Sequence, residues 1–429
     1  MLKKLLENAF VKVVSYNGIV VFSKIVASFV ISKVSAIYLG PSGYAVIGNL
    51  RNLLQGVFGI TGTGFGSGVV KYVAESKTDK KQLRLVVSSA ITLSFCLSLF
   101  IGILLFVFSN YISETVLLDK KWSFVIKYLA VLLPIASLSF LVVFIVNGLQ
   151  NFKLYTKLVV LTNILNALLS FLFIFFFNLK GALLAAFVVP TLSFFTSLVF
   201  KDVRVLLGNI YDYIKHTSIG VIKSVGTYIA MATYSAILIS VSYFLIRNKI
   251  IFNLDIETAG LWEAMHKISS FYMMFFSSLF TLYLLPKLAE NKTIFGYNMI
   301  MKSYFRYLIP FTLATFLVLF FLKTVIIQLF LTKEFESIAQ FFYLQLIGDF
   351  LKVIAFSLAY QFHAKKMVKL YIISDTILYV TFYVLSLCLI DVYAIYGVFY
   401  AYIFSVFLYL IVVIVSLYFN NSKYLQVNV

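Results

Sequence analysis

The chain has 429 residues, 62% of them hydrophobic and only 12% charged, and its mean hydropathy is +1.01; no ordinary water-soluble domain has that balance. A net charge of +19 would suggest nucleic acid in a soluble protein, but here the lysines and arginines fall between apolar runs in a membrane pattern. Two cysteines (Cys96, Cys388) and three histidines (His216, His266, His363) show no metal-ligand spacing, so neither a metal site nor a cofactor is expected.

The start, Met1-Leu2-Lys3-Lys4, resembles the basic head of a secretory leader. Lys24 and Lys33 interrupt the apolar run that follows, and no small-residue cleavage site is present, so the segment is expected to be retained. A membrane-spanning helix needs about 20 apolar residues. Windows of that size place spans at 15–39, 44–73, 85–109, 124–148, 158–178 and 181–200, then at 224–246, 260–285, 304–323, 337–360, 370–390 and 394–419. The second and eighth are long, which predicts tilt or a bend. With this count, 22 Lys and Arg fall on one side of the membrane and 7 on the other. That asymmetry puts both termini in the cytoplasm. The outer connections are short, the longest being the dozen or so residues around 247–260.

A shift of about half the chain brings similar features into register. Lys71-Tyr72-Val73-Ala74-Glu75 closes the second span and Lys287-Leu288-Ala289-Glu290 closes the eighth; Gly43 and Gly260 open the same two. Asn151 to Leu158 precedes the fifth span as Ala364 to Leu370 precedes the eleventh, with Asn163 and Asp375 inside them. The prediction is an all-α membrane protein of about twelve helices in two repeated six-helix lobes around a central cationic cleft. The lobes are residues 1–200 and 224–429, and a basic linker, 201–223, forms partly as an interfacial helix.

Charges inside spans cost roughly 2.5–3.5 kcal/mol each on insertion scales, so they normally line a wet path. In the first span, Lys24 is deep and a cavity candidate, whereas Lys33 is as compatible with snorkelling to the surface. In the second, Arg51, Gln55, Gly59, Gly62 and Gly66 share one stripe. Its glycines read as close helix packing that permits bending, because no phosphate-loop motif is present. Arg51, a planar fork that never loses its charge, suits bidentate phosphate binding. In the eighth span, Glu263 and Lys267 are i, i+4 and suited to neutralise each other, and His266 and Lys267 offer further cationic points. In the tenth, Gln345, Asp349 and Lys352 share a face, either as a local ion pair or as an ion-coupling site. Asp375 in the eleventh fits a hydrated helix start or coupling, and Lys127 in the fourth fits snorkelling. No Ser-His-Asp grouping or acidic cluster suggests an enzyme. A cationic cleft in a duplicated bundle suits an anionic lipid headgroup that carries sugars.

Leu39-Gly40-Pro41-Ser42-Gly43, Asn49-Leu50-Arg51 and Lys71 to Glu75 resemble the start of O-antigen and enterobacterial common antigen translocases. Gly260-Leu261-Trp262, Leu282 to Pro286 and Gln345 to Val353 resemble the same family, in order along the chain. The resemblance implies a Wzx-type flippase of the multidrug/oligosaccharidyl-lipid/polysaccharide exporter superfamily. Such a protein moves undecaprenyl-pyrophosphate-linked oligosaccharide across the bacterial inner membrane to polymerase and chain-length machinery. On this reading Lys24, Arg51, Gln55, His266 and Lys267 bind the pyrophosphate, and Glu263, Asp349, Lys352 and Asp375 are the candidates for ion coupling. The 46 Phe and 29 Tyr depart from Ala/Leu-rich relatives, so sugar specificity does not transfer. A drug/cation antiporter of the same superfamily would want an acid-rich cavity. A membrane polysaccharide polymerase would want a large outer loop, which this sequence lacks.

Overall fold

A computed structural model describes residues 9–207, 217–284, 287–288, 293–365 and 367–426. Lys3, Lys4, Lys215, His216, Pro286, Glu290, Lys292 and Lys366, which entered the charge count or the motifs, lie outside the described residues. Among the described residues the regular structure is helix and no strand occurs. Lipid offers no hydrogen-bond partners, so a spanning backbone must satisfy its own.

The α-helices are α1 (Ala9–Thr61), α2 (Gly66–Glu75), α3 (Lys80–Val107), α4 (Ser109–Val116), α5 (Ser123–Gly148), α6 (Phe152–Ser197) and α7 (Lys201–Leu207). They continue as α8 (Ile219–Asn253), α9 (Ile256–Leu279), α10 (Ile294–Phe321), α11 (Lys323–Phe330), α12 (Phe342–Ala364), α13 (Val368–Tyr393) and α14 (Ile395–Gln426). Nine of the described helices are long and apolar enough to cross a membrane, with α1 and α6 counted once each. Each of those two is a pair of helices: α1 turns at Gly40 (φ 60°, ψ −171°), ahead of Pro41, and α6 at Asn178 (φ 48°, ψ −130°). Helix α9 has 24 residues but is too polar to qualify. Splitting the two pairs and adding α9 gives twelve long segments at the expected places, and the chain is a multi-pass membrane protein.

The two long spans are each interrupted. The second span breaks at Gly62 into a 3₁₀ turn, Thr63–Phe65, before resuming as α2. The eighth passes from α9 into a single π-helical turn, Phe280–Leu284. One expectation is corrected: 247–260 is not a loop. Helix α8 runs to Asn253 and α9 starts at Ile256, so Arg247 and Lys249 are helical.

The duplication shows in helix boundaries and dihedral angles. Helices α3 and α10 are offset by 214 residues at both ends, as are α4 and α11. After the next connection the offset becomes 216. The cap residues Asn151 (φ −82°, ψ 71°) and Met367 (φ −81°, ψ 66°) match, as do the turn residues Asn178 and Ala394 (φ 51°, ψ −135°). Three residues beyond each turn, Gly181 and Gly397 leave no room for a Cβ against the carbonyls of Phe173 and Leu389, again 216 apart. This register corrects one pairing. Asn163 falls opposite Tyr379, and Asp375 lies one helical turn earlier.

By backbone proximity the chain divides into two units, Met1–Leu39 with Asn49–Ile237 and Gly40–Gly48 with Leu238–Val429. The first has a core of Val69, Val73, Val87, Ile91, Val142 and Ile145, joined by Val203 and Leu207 of α7 and by Val225 and Ile229 of α8. Hydroxyls secure its helix break. Ser94 Oγ donates to the Thr61 carbonyl (2.5 Å), Ser137 Oγ to Thr61 Oγ1 (2.8 Å), and Thr233 Oγ1 to the Gly59 carbonyl (2.9 Å). The glycine stripe packs closely, as expected: a Cβ on Gly59 would meet Ala236 at 2.9 Å and one on Gly62 would meet Phe140 at 2.8 Å. In the second unit, aromatic pairs such as Tyr44–Phe335 (5.2 Å) and Phe341–Phe399 (5.2 Å) fill the interior.

Candidate functional site

The second unit holds a charged interior built on the α8–α9 hairpin. Asp255 caps α9 by accepting from the Thr258 amide (2.6 Å), so the turn between the helices is only Leu254-Asp255. In an antiparallel hairpin, residues equally far from the turn face each other. Arg247 and Glu263 are each eight residues from Asp255, and they form a fully buried ion pair. The guanidinium lies 5.5 Å from the Trp262 ring centre, and Trp262 stacks on Tyr243 at 5.5 Å. His266 sits against the same Tyr243 at 4.5 Å. Gly48 closes the other side, where a Cβ would come within 2.8 Å of both the Arg247 guanidinium carbon and the Glu263 carboxyl.

Asp349 of α12 is buried in a different way. Its carboxylate accepts hydrogen bonds from Ser269 Oγ (2.6 Å), Gln345 Nε2 (3.1 Å), Tyr402 Oη (2.6 Å) and Tyr272 Oη. All four donors are neutral, and they come from α9, α12 and α14. Hydrogen bonds to a carboxylate are charge-assisted, and so shorter and stronger than those between neutral groups. Lys352, one turn on, stacks over Phe356 (5.4 Å) and over Tyr402 (5.7 Å), so Tyr402 touches Asp349 through its hydroxyl and Lys352 through its ring face.

The structure rearranges the expected pairs. Glu263 pairs with Arg247, and the Lys267 ammonium lies over Phe271 at 5.3 Å. Asp349 makes no ion pair with Lys352, because the hydroxyls and the Gln345 amide occupy its oxygens. Asp375 is buried in α13. In the first unit Arg51 and Lys33 are half-buried, Gln55 is exposed, and Asn163 Nδ2 donates to Ser23 Oγ (2.8 Å). Lys24 is exposed. The exposed large apolar side chains of the same arm of α1 are Ile19, Phe22, Val26, Ile37 and Tyr38, and at 100° per residue Lys24 lies about 160° from the middle of the first four and about 40° from Tyr38. Lys127, in α5, is exposed over Phe106 at 5.8 Å.

Sequence reasoning missed Arg247, Tyr243, Tyr272, Tyr402 and the packing role of Gly48. For Arg247 the signal was available: apolar residues continue past it to Phe252, and it mirrors Glu263 across Asp255. The tyrosines lie on three different helices, with nothing in their spacing to single them out from the other 26.

No protein-family profile matches the chain. It is similar to the lipid III flippase of Escherichia coli (strain K12), 25% identical over 358 residues that cover 82% of this chain and 84% of the relative, and equally to that of Shigella flexneri. Among solved structures, it is similar to an inward-facing multidrug resistance MATE family transporter of the MOP superfamily. There the TM-score is 0.77 and the identity 15%, over 93% of this chain and 95% of that one. The lipid II flippase MurJ in an inward closed conformation aligns with a TM-score of 0.68 at 16% identity, over 95% of this chain and 87% of that one. The fold is that of MOP-superfamily transporters.

Proposed function

We propose that this chain is a flippase that moves an undecaprenyl-pyrophosphate-linked oligosaccharide, an O-antigen or enterobacterial common antigen unit, from the cytoplasmic to the periplasmic leaflet of the bacterial inner membrane. Its two halves would expose the binding groups to one leaflet and then to the other, with both termini in the cytoplasm, and polymerase and chain-length machinery would receive the product. The observation that carries this reading is the similarity to lipid III flippases along four fifths of both chains. Lys24 supports it, as an exposed cation within an apolar helix. Arg51 supplies the bidentate fork for the pyrophosphate, and Lys24, Gln55, His266 and Lys267 supply the remaining polar contacts. Of the four groups considered for ion coupling, Asp349 has the surroundings that fit. Glu263 already has its cation, and Lys352 and Asp375 act in support.

The test is complementation of cells depleted of the protein. Depletion should leave complete, unpolymerised lipid-linked units on the cytoplasmic leaflet. Arg51→Ala should fail to clear them at normal protein levels, and Arg51→Lys should clear them partly because the bidentate fork is lost. Full clearance by Arg51→Ala would remove Arg51 from the site.

A further inference from the structure

Inside the first unit, helices α5 and α6 line a partly open cavity of about 210 Å³. No Lys, Arg, Asp, Glu or His lines it, so it offers nothing to a phosphate or an ammonium group. Its polar lining is a mixture of donors and acceptors on neutral atoms. The hydroxyls of Ser139, Ser193 and Ser197 give their protons to carbonyls of their own helices, at 2.7, 2.9 and 2.6 Å, which leaves oxygen lone pairs as acceptors. Asn166 accepts from Ser170 through Oδ1 (3.2 Å), so its amide N–H groups remain as donors. Pro190 has no N–H to return to the Ala186 carbonyl one turn back, and both residues line the cavity. That adds a backbone acceptor. Phe140 supplies an aromatic wall, in edge contact with the Phe58 ring at 5.1 Å and packed close to Gly62.

We infer that this cavity binds an uncharged, polyhydroxylated group the size of a single sugar ring. Each hydroxyl of such a group both donates and accepts, which matches a lining that presents acceptors on the serines and the Ala186 carbonyl and donors on Asn166. A pyranose also has an apolar C–H face, which suits Phe140. An ion fits poorly, because burying it here would cost desolvation with no opposite charge to offset it. The inference rests on the flippase reading only for the natural source of the sugar, a residue of the carried glycan. The binding itself stands on the cavity.

The experiment uses the full-length protein in lipid nanodiscs free of sugar detergents. Saturation-transfer NMR and calorimetric titration are run with a panel of methyl glycosides: a hexose, a deoxyhexose and an N-acetylhexosamine. Sodium chloride and inorganic pyrophosphate serve as charged probes. At least one glycoside should bind saturably, and Asn166→Leu should weaken it at least tenfold through loss of its donors. Ser193→Leu, which fills the cavity without removing Asn166, should weaken it as much, and unchanged melting temperatures would show that both variants fold. Absence of saturable binding by every glycoside would overturn the inference. So would binding that both variants leave intact, or pyrophosphate or sodium binding that Ser193→Leu abolishes. Free glycosides report on the cavity alone, so loss of flipping in cells and loss of binding here remain separate results.

Discussion

The two halves share helix boundaries, caps and turn dihedrals, yet their interiors differ. Unit one secures its buried polar groups with bonds between neutral groups, such as Ser94 Oγ to the Thr61 carbonyl and Ser137 Oγ to the Thr61 hydroxyl. Unit two buries Arg247, Glu263 and Asp349, all almost without exposure. Duplication therefore preserved the scaffold and not the chemistry. What a lipid-embedded repeat must keep is backbone geometry, since boundaries and turns decide whether every N–H and C=O is satisfied. Interior side chains are free to differ, and in one half they include buried charges.

The sharpest way to break this comparison is to remove one ion from the charged half. Arg247→Ala strands Glu263 in the interior and should cost about 3–5 kcal/mol, whereas the paired replacement Arg247→Leu with Glu263→Leu should restore most of it. Thermal unfolding in detergent measures both. Ser137→Ala in the neutral half is the matched control, at about 1 kcal/mol. An Arg247 effect no larger than that of Ser137 would mean that the two interiors are energetically alike.

A smaller effect on stability, and a larger one on transport, is expected at Asp349. Asp349→Asn keeps most of the shape but gives up hydrogen bonds to a charged group, about 1.5–3 kcal/mol in total, and removes the carboxyl proposed for ion coupling. Flipping in inverted vesicles should lose its dependence on a pH gradient while substrate still binds. An unchanged pH dependence would make Asp349 a structural acceptor. The smallest effect belongs to the shared turn. Ala394 holds a positive φ that suits glycine, so Ala394→Gly should raise stability by about 1 kcal/mol. Asn178→Gly should gain less, because asparagine tolerates that region better.

The helices and the bends were legible because they depend on local signals: apolar windows, the Gly62 to Gly68 glycine run, and the basic flanks. The Arg247 partner of Glu263 was missed because i, i+4 spacing is a local signal, whereas this pair forms across a hairpin. Ending the seventh span at Ile246 hid that partner, since Arg247 then counted as a loop charge. Asp349 stood out as a buried acid, but its cage did not. The donors Ser269, Tyr272 and Tyr402 come from helices far apart in the chain, and only packing joins them. The sugar-sized cavity gave no signal either, being made of ordinary serines, an asparagine and a proline.

The turns at Asn178 and Ala394 have a consequence for biosynthesis. Each reverses the chain with essentially no polar loop, so the insertion machinery meets almost nothing hydrophilic between two apolar segments. The two arms of α6, and α13 with α14, would then enter the bilayer as preformed hairpins. Their direction would be decided by the lysines that precede them, Lys153 with Lys157 and Lys365 with Lys369.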